Sequence, residues 1–208
     1  HAKIRAANSK NNRLSFKQRL LAIRESMDSF FDAVPINSDI FIKGIAGTNP
    51  SIWVQSGKTI TKSGGTGTLT MQGHGRVSNN GSITTSGTGV LNVVFWSDFD
   101  NSNNDGGVSQ SGTVSTNGGD VWLGGSNSNG GSYTWNGLTV GDGPSIGTTG
   151  FNGNAMDISG DITTNGGDLL VWAGNGSGGG TDGIVTNAGW ELNVSDGDVV
   201  FITPSVLG

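Results

Sequence analysis

Asp98, Asp100, Asn104 and Asp105 fall within one Asn-, Ser- and Gly-rich loop, and their spacing is the nearest this chain comes to a metal site. Hard cations such as calcium take several oxygen ligands from a short, bendable loop, and alternating acids and amides offer them. The loop lacks the bidentate Glu of an EF-hand, and it is a single loop, so a solvated acidic turn is the competing reading. No obligatory cofactor is implied; calcium is the one ion the loop would suit. His74 sits beside Arg76 with no second His, Cys or nucleophile at a recognisable spacing, which gives metal or triad chemistry no support. Trp96, Trp122 and Trp172 lie inside apolar runs and are expected to pack, whereas Trp135 and Trp190 have polar neighbours and are the candidate glycan or partner contacts. No residue is assigned a catalytic role, and the chain is read as a non-enzyme.

These residues are carried by a repeated unit. The stretch Gly160–Gly174 reads as a short strand, a tight turn at Asn165–Gly167 and a second apolar strand from Leu169. Related stretches begin at Gly112 and Gly81, and a looser one at Lys58. A unit this small cannot bury its own apolar face, so recurrence points to stacked repeats. Asn-Gly pairs supply the residues that tolerate positive φ at tight corners. Asp120 and Asp168 follow Gly-Gly at equivalent positions and are expected to accept backbone N–H groups at those corners. Starts at 81, 112 and 160 are 31 and 48 residues apart. The longer interval fits two coils of about 24, the second running from Asn136–Val140 through Ala155–Ile158 and lacking the Asn-Gly-Gly turn. Val90–Trp96 is the longest apolar run and reads as a strand buried on both faces, or a buried strand pair. Coils of this length, with short strands and Gly/Asn corners, predict an all-β parallel β-helix over residues 35–208.

Residues 1–34 differ. Ser15 and Gln18 have capping-box form, and Phe16, Leu20, Ile23, Met27 and Phe30 make one apolar stripe before Pro35. The spacing predicts an amphipathic helix that caps one end of the repeat stack, docks a partner or neighbouring chain, or lies on a membrane. Charge follows the same division: residues 1–33 carry a net +4 and the remainder −9. An acidic body with no Lys or Arg after Arg76 is a poor ligand for nucleic acid, and no apolar run is long enough to span a bilayer.

The frame Gly-x-Ile-x-Thr-x-Gly-Gly-Asp at 112–125 and 160–174, with Ile45–Pro50 and Asn136–Val140, resembles the repeats of filamentous-haemagglutinin-like bacterial adhesins. The resemblance covers roughly residues 36–203. It implies a right-handed β-helix and a very large surface protein exported by two-partner secretion. The partners implied are a host or neighbouring-cell surface, including its glycans, and other copies of the chain. Thr48–Pro50 followed by Ser51 does not meet the Asn-Pro-Asn-Gly motif of the secretion domain, so the resemblance places this stretch in the shaft. His1 follows no signal pattern, and the chain reads as part of a longer protein. The alternative is a carbohydrate-binding or polysaccharide-degrading β-helix, and cleavage needs clustered Asp with Arg or Lys on one face. A self-assembling filament subunit, docking through residues 15–30, is the third reading.

Overall fold

The computed structural model describes residues 38–44, 50–101, 106–147, 153–175 and 183–203, all within the unit from Pro35 to Gly208. The helix expected over residues 15–30, with Phe16, Leu20, Ile23, Met27 and Phe30, lies outside the described residues, as do Asn104 and Asp105. Within them the chain is all-β, with no helix. Strand β1 (Ile40–Lys43) is followed by five coils of three strands each. The first coil is β2 (Ile52–Val54), β3 (Thr59–Ser63) and β4 (Thr66–Gln72), and the second is β5 (Val77–Asn79), β6 (Ser82–Ser86) and β7 (Val90–Trp96). The third holds β8 (Val108–Gln110), β9 (Thr113–Ser115) and β10 (Val121–Gly124). A hairpin of β11 (Ser132–Trp135) and β12 (Leu138–Gly141) intervenes before the fourth coil, β13 (Met156–Ile158), β14 (Ile162–Thr163) and β15 (Leu169–Trp172). The last coil is β16 (Ile184–Thr186), β17 (Leu192–Asn193) and β18 (Val199–Ile202).

Equivalent strands pair in parallel. The three sheets run β17-β14-β9-β6-β3 (sheet A), β1-β4-β7-β10-β15-β18 (sheet B) and β16-β13-β8-β5-β2 (sheet C). Parallel strands in stacked sheets are the arrangement of a β-helix or solenoid. The register aligns like residues. Leu69, Val93, Val121 and Leu169 form one inward column of sheet B, and Met71, Phe95, Leu123 and Val171 another, all fully buried. Ile60, Ile83, Val114 and Ile162 do the same in sheet A. Each such side chain contributes about 1.5–3 kcal/mol relative to exposure. Sheet C also places amides inside: Asn79 Nδ2 donates to Gln110 Oε1 at 3.0 Å, and both are buried.

The motif Thr-Asn-Gly-Gly-Asp at 116–120 and 164–168 is accounted for residue by residue. Thr116 and Thr164 are buried, and each hydroxyl donates across its corner to the carbonyl of Gly119 or Gly167. Asn117 and Asn165 take left-handed backbone (φ 54° and 56°), and the first glycine of each pair continues the turn at positive φ. The second glycine needs space: a methyl at Gly167 would overlap the Gly119 carbonyl oxygen of the coil below. The aspartate then forms a ladder. Asp120 Oδ1 accepts Asp168 N–H, and Asp168 Oδ1 accepts Asp198 N–H, both at 2.8 Å; Asn92 Oδ1 accepts Asp120 N–H at 2.9 Å. The corner role expected for Asp120 and Asp168 is the one they have.

The interval of 48 residues is a correction. Val121 pairs directly with Leu169, so the interval is one coil, not two. The extra length is an insertion: β11 and β12 pair antiparallel, and Asn136-Gly137 is their two-residue turn, with φ of 48° and 80°. Ala155–Ile158, assigned to the same extra coil, instead leads into and forms β13, the first strand of the fourth coil.

Candidate functional site

Since the repeat positions are consumed by backbone geometry, function must lie where the coils depart from repetition. The largest departure is the hairpin. Along β11 and β12 the exposed positions Ser132, Thr134 and Thr139 alternate with Tyr133, Trp135, Leu138 and Val140, as a sheet with one covered face requires. The inward set lies over the outer face of sheet B, where Val94, Trp122 and Leu170 stand in register on adjacent strands. Together with Trp96, Phe99, Leu138 and Val140 they make a second apolar cluster outside the coils, with Tyr133, Trp135 and Trp172 at its half-buried margin. Trp96 Nε1 donates to Ser126 Oγ at 2.6 Å, and Tyr133 meets Trp172 edge-on with centroids 6.2 Å apart.

Polar groups fix both ends of the insertion. At its neck, Gly125 and Gly143 bond each other through their backbones, and Asp142 gathers Ser128 Oγ (2.6 Å), Asn127 N–H (2.8 Å) and Ser128 N–H (3.4 Å). Burial would raise the Asp142 carboxyl, but the Ser128 hydroxyl and the backbone N–H groups of Asn127, Ser128 and Asp142 itself together outweigh it and hold the group below its ordinary value. At the tip, Asn136 Nδ2 donates to Asp168 Oδ2 at 2.7 Å, which ties the hairpin to the aspartate ladder.

The second departure follows β7. Asp98 has left-handed backbone (φ 46°), and its N–H bonds Gly75 O while the Phe99 N–H bonds Gly73 O. This turns the loop back over the preceding corner. His74 Nδ1 and Asp100 Oδ2 lie 2.7 Å apart, the His74 ring meets Phe99 edge-on at 4.4 Å, and Lys43 Nζ stands 4.0 Å above the Phe99 ring. Asn101 Nδ2 donates to Asn127 O at 2.7 Å, and Gly130 N–H donates to Phe99 O at 2.7 Å, so the loop braces the hairpin neck. Below it, Arg76 is buried, and desolvation lowers its guanidinium to about 10 although Asp157 opposes the shift. Burial likewise raises Asp157 above the ordinary carboxyl value, with Arg76 acting against it.

Of the calcium candidates, Asp98 is buried in the turn and Asp100 is directed to His74. Among the described residues no group of three or more His, Asp or Glu is assembled to hold a metal. Trp135 and Trp190 are not brought together: Trp135 is on the hairpin over sheet B, and Trp190 lies in the corner before β17 of sheet A, each half-buried. Sequence reasoning passed over the hairpin, its neck at Asp142 and its tether at Asn136. The signal was present, since Asn-Gly flanked by alternating apolar residues is a strong two-residue hairpin pattern. Among the described residues no helix is long and apolar enough to cross a membrane. Comparison with family models, with curated proteins and with solved structures returned no match.

Proposed function

We propose that residues 35–208 form a right-handed parallel β-helix serving as a structural and adhesive module of a large extracellular bacterial surface or fibre protein, as the resemblance to filamentous-haemagglutinin-like repeats implies. The module carries out no reaction; its work is to hold a binding surface away from the cell. The observation that carries this reading is the ladder Asn92–Asp120–Asp168–Asp198, which uses the most conspicuous polar residues of the repeat to join one coil to the next. Such a scaffold is stiff without disulfides, because every coil is hydrogen-bonded along the stack. The contact surface is the inserted hairpin and its margin, where Ser132, Thr134 and Thr139 offer exposed polar groups and Tyr133, Trp135 and Trp172 offer aromatic rims to glycans.

The test is adhesion of beads coated with the chain to polysaccharide-coated and cell surfaces, with Thr134→Lys and Thr139→Lys placed together on the exposed hairpin face. Retention should fall at least about tenfold, equivalent to 1.4 kcal/mol, with melting unchanged. Equal retention by wild type and variant would remove the hairpin from the contact surface.

A further inference from the structure

Five Asn-Gly pairs lie wholly within the described residues: Asn80-Gly81, Asn117-Gly118, Asn129-Gly130, Asn136-Gly137 and Asn165-Gly166. Such a pair is chemically labile, because with no Cβ in the way the glycine nitrogen can reach the asparagine side-chain carbonyl. The fold treats the five differently. Gly81 N–H donates to Asn79 Oδ1 at 3.2 Å, Gly118 N–H to Thr164 O at 2.5 Å, Gly130 N–H to Phe99 O at 2.7 Å and Gly166 N–H to Val194 O at 2.9 Å. Asn117 is held a second time, its Nδ2 donating to Gly89 O at 2.9 Å. In these four pairs the attacking nitrogen must first give up a hydrogen bond. Gly137 has no partner for its N–H among the described residues, and both it and Asn136 are exposed, with open space around the glycine. Asn136 is also where the hairpin tip is tied down, since its Nδ2 donates to Asp168 Oδ2 at 2.7 Å.

We propose that Asn136 is a self-modification site, which converts to aspartate or isoaspartate and thereby releases the hairpin from the coil stack. Gly137 N loses its proton and bonds Asn136 Cγ; the side-chain amino group takes up a proton and leaves as ammonia. Water then adds to either carbonyl of the five-membered imide and opens it to aspartate or isoaspartate. The product carboxylate stands where the amide donated, opposite the Asp168 carboxylate, so a hydrogen bond becomes a like-charge contact. Isoaspartate also lengthens the main chain by one carbon inside a two-residue turn, and the pairing of Trp135 with Leu138 that the turn closes is lost. Both side chains pack in the apolar cluster that covers Val94, Trp122 and Leu170. The release concerns the hairpin whatever it contacts, so it stands apart from the adhesive reading.

The test uses the full chain, incubated at mildly alkaline pH either folded or in urea. Each Asn-Gly pair is followed by peptide mass spectrometry with isoaspartate detection. In the folded chain Asn136 should convert at least about tenfold faster than Asn117 or Asn165, since breaking one backbone hydrogen bond before attack costs roughly that factor in rate. In urea the rates of the five pairs should converge. Tryptophan emission of the folded chain should shift to the red in step with conversion at Asn136. Asn136→Gln keeps an amide but would have to close a six-membered ring, so it should age under the same conditions without that shift. Conversion of Asn136 no faster than that of Asn117 and Asn165 in the folded chain would overturn the proposal. So would a preference that survives in urea, or conversion that leaves the emission unchanged.

Discussion

Replacing Asp168 tests the link between the repeat motif and the stack. Its Oδ1 accepts Asp198 N–H at 2.8 Å and its Oδ2 accepts Asn136 Nδ2 at 2.7 Å, so Asp168→Ala removes two charge-assisted hydrogen bonds. A hydrogen bond to a charged group is worth about 1.5–3 kcal/mol when buried and less when water competes. The side chain is half-buried, so the expected loss is about 2 kcal/mol. Asp120→Ala removes one such bond, to Asp168 N–H, and should cost about 1 kcal/mol. Asp168→Asn keeps an amide oxygen as acceptor, the arrangement that Asn92 already uses toward Asp120, and should recover at least half of the loss. Urea unfolding at pH 7, followed by circular dichroism, measures all three. Equal effects at Asp120 and Asp168, or no loss at either, would refute the ladder as a source of stability.

Five further outcomes follow from the same structure. Gly160→Ala should destabilise by about 3 kcal/mol or more, because a methyl there would overlap the Gly112 carbonyl oxygen. Gly137→Ala has open space around it and only its φ of 80° to oppose it, so about 1–2 kcal/mol is expected; thermal melting orders the two. Leu138→Ala should cost about 2–4 kcal/mol locally and free the hairpin, seen as red-shifted fluorescence from Trp96 and Trp122 without loss of strand signal. The carboxyls set opposite pH dependences. Asp142 is held low when folded, so its stabilisation is present above the unfolded value of 3.8 and is lost as pH falls through the folded one; Asp142→Asn should flatten that acid limb. Asp157 is raised when folded, so the fold gains from it as pH falls from neutrality through the raised value, and Asp157→Asn should abolish that gain in a pH series of urea midpoints.

The coils were legible because corner chemistry is local. An Asn followed by two glycines and an Asp fixes left-handed turns, a close backbone approach and an acceptor within four residues, and no tertiary context is needed to see it. The run Val90–Trp96, read as buried on both faces, is so only from Val93 to Trp96, whereas Val90 and Asn92 are half-buried. What covers the outer face was not legible, because the covering strands lie in an insertion. Leu138–Val140 alternates as a coil strand would, and alternation cannot distinguish a parallel neighbour from a hairpin partner. Long-range pairs were equally hidden: His74 and Asp100 are 26 residues apart and meet only because the loop after β7 folds back over the preceding corner. The burial of Lys62 has no local sequence signal: it is fully buried, with Nζ donating to Gly64 O at 2.5 Å.

The adhesive, non-catalytic reading meets its most direct test in one incubation. The purified chain is mixed with a panel of surface polysaccharides, and bound protein and newly formed reducing ends are measured together. Saturable binding with no reducing ends above the buffer control is the predicted result. Reducing ends that increase with time and with protein concentration would contradict it and make the chain a polysaccharide-degrading β-helix.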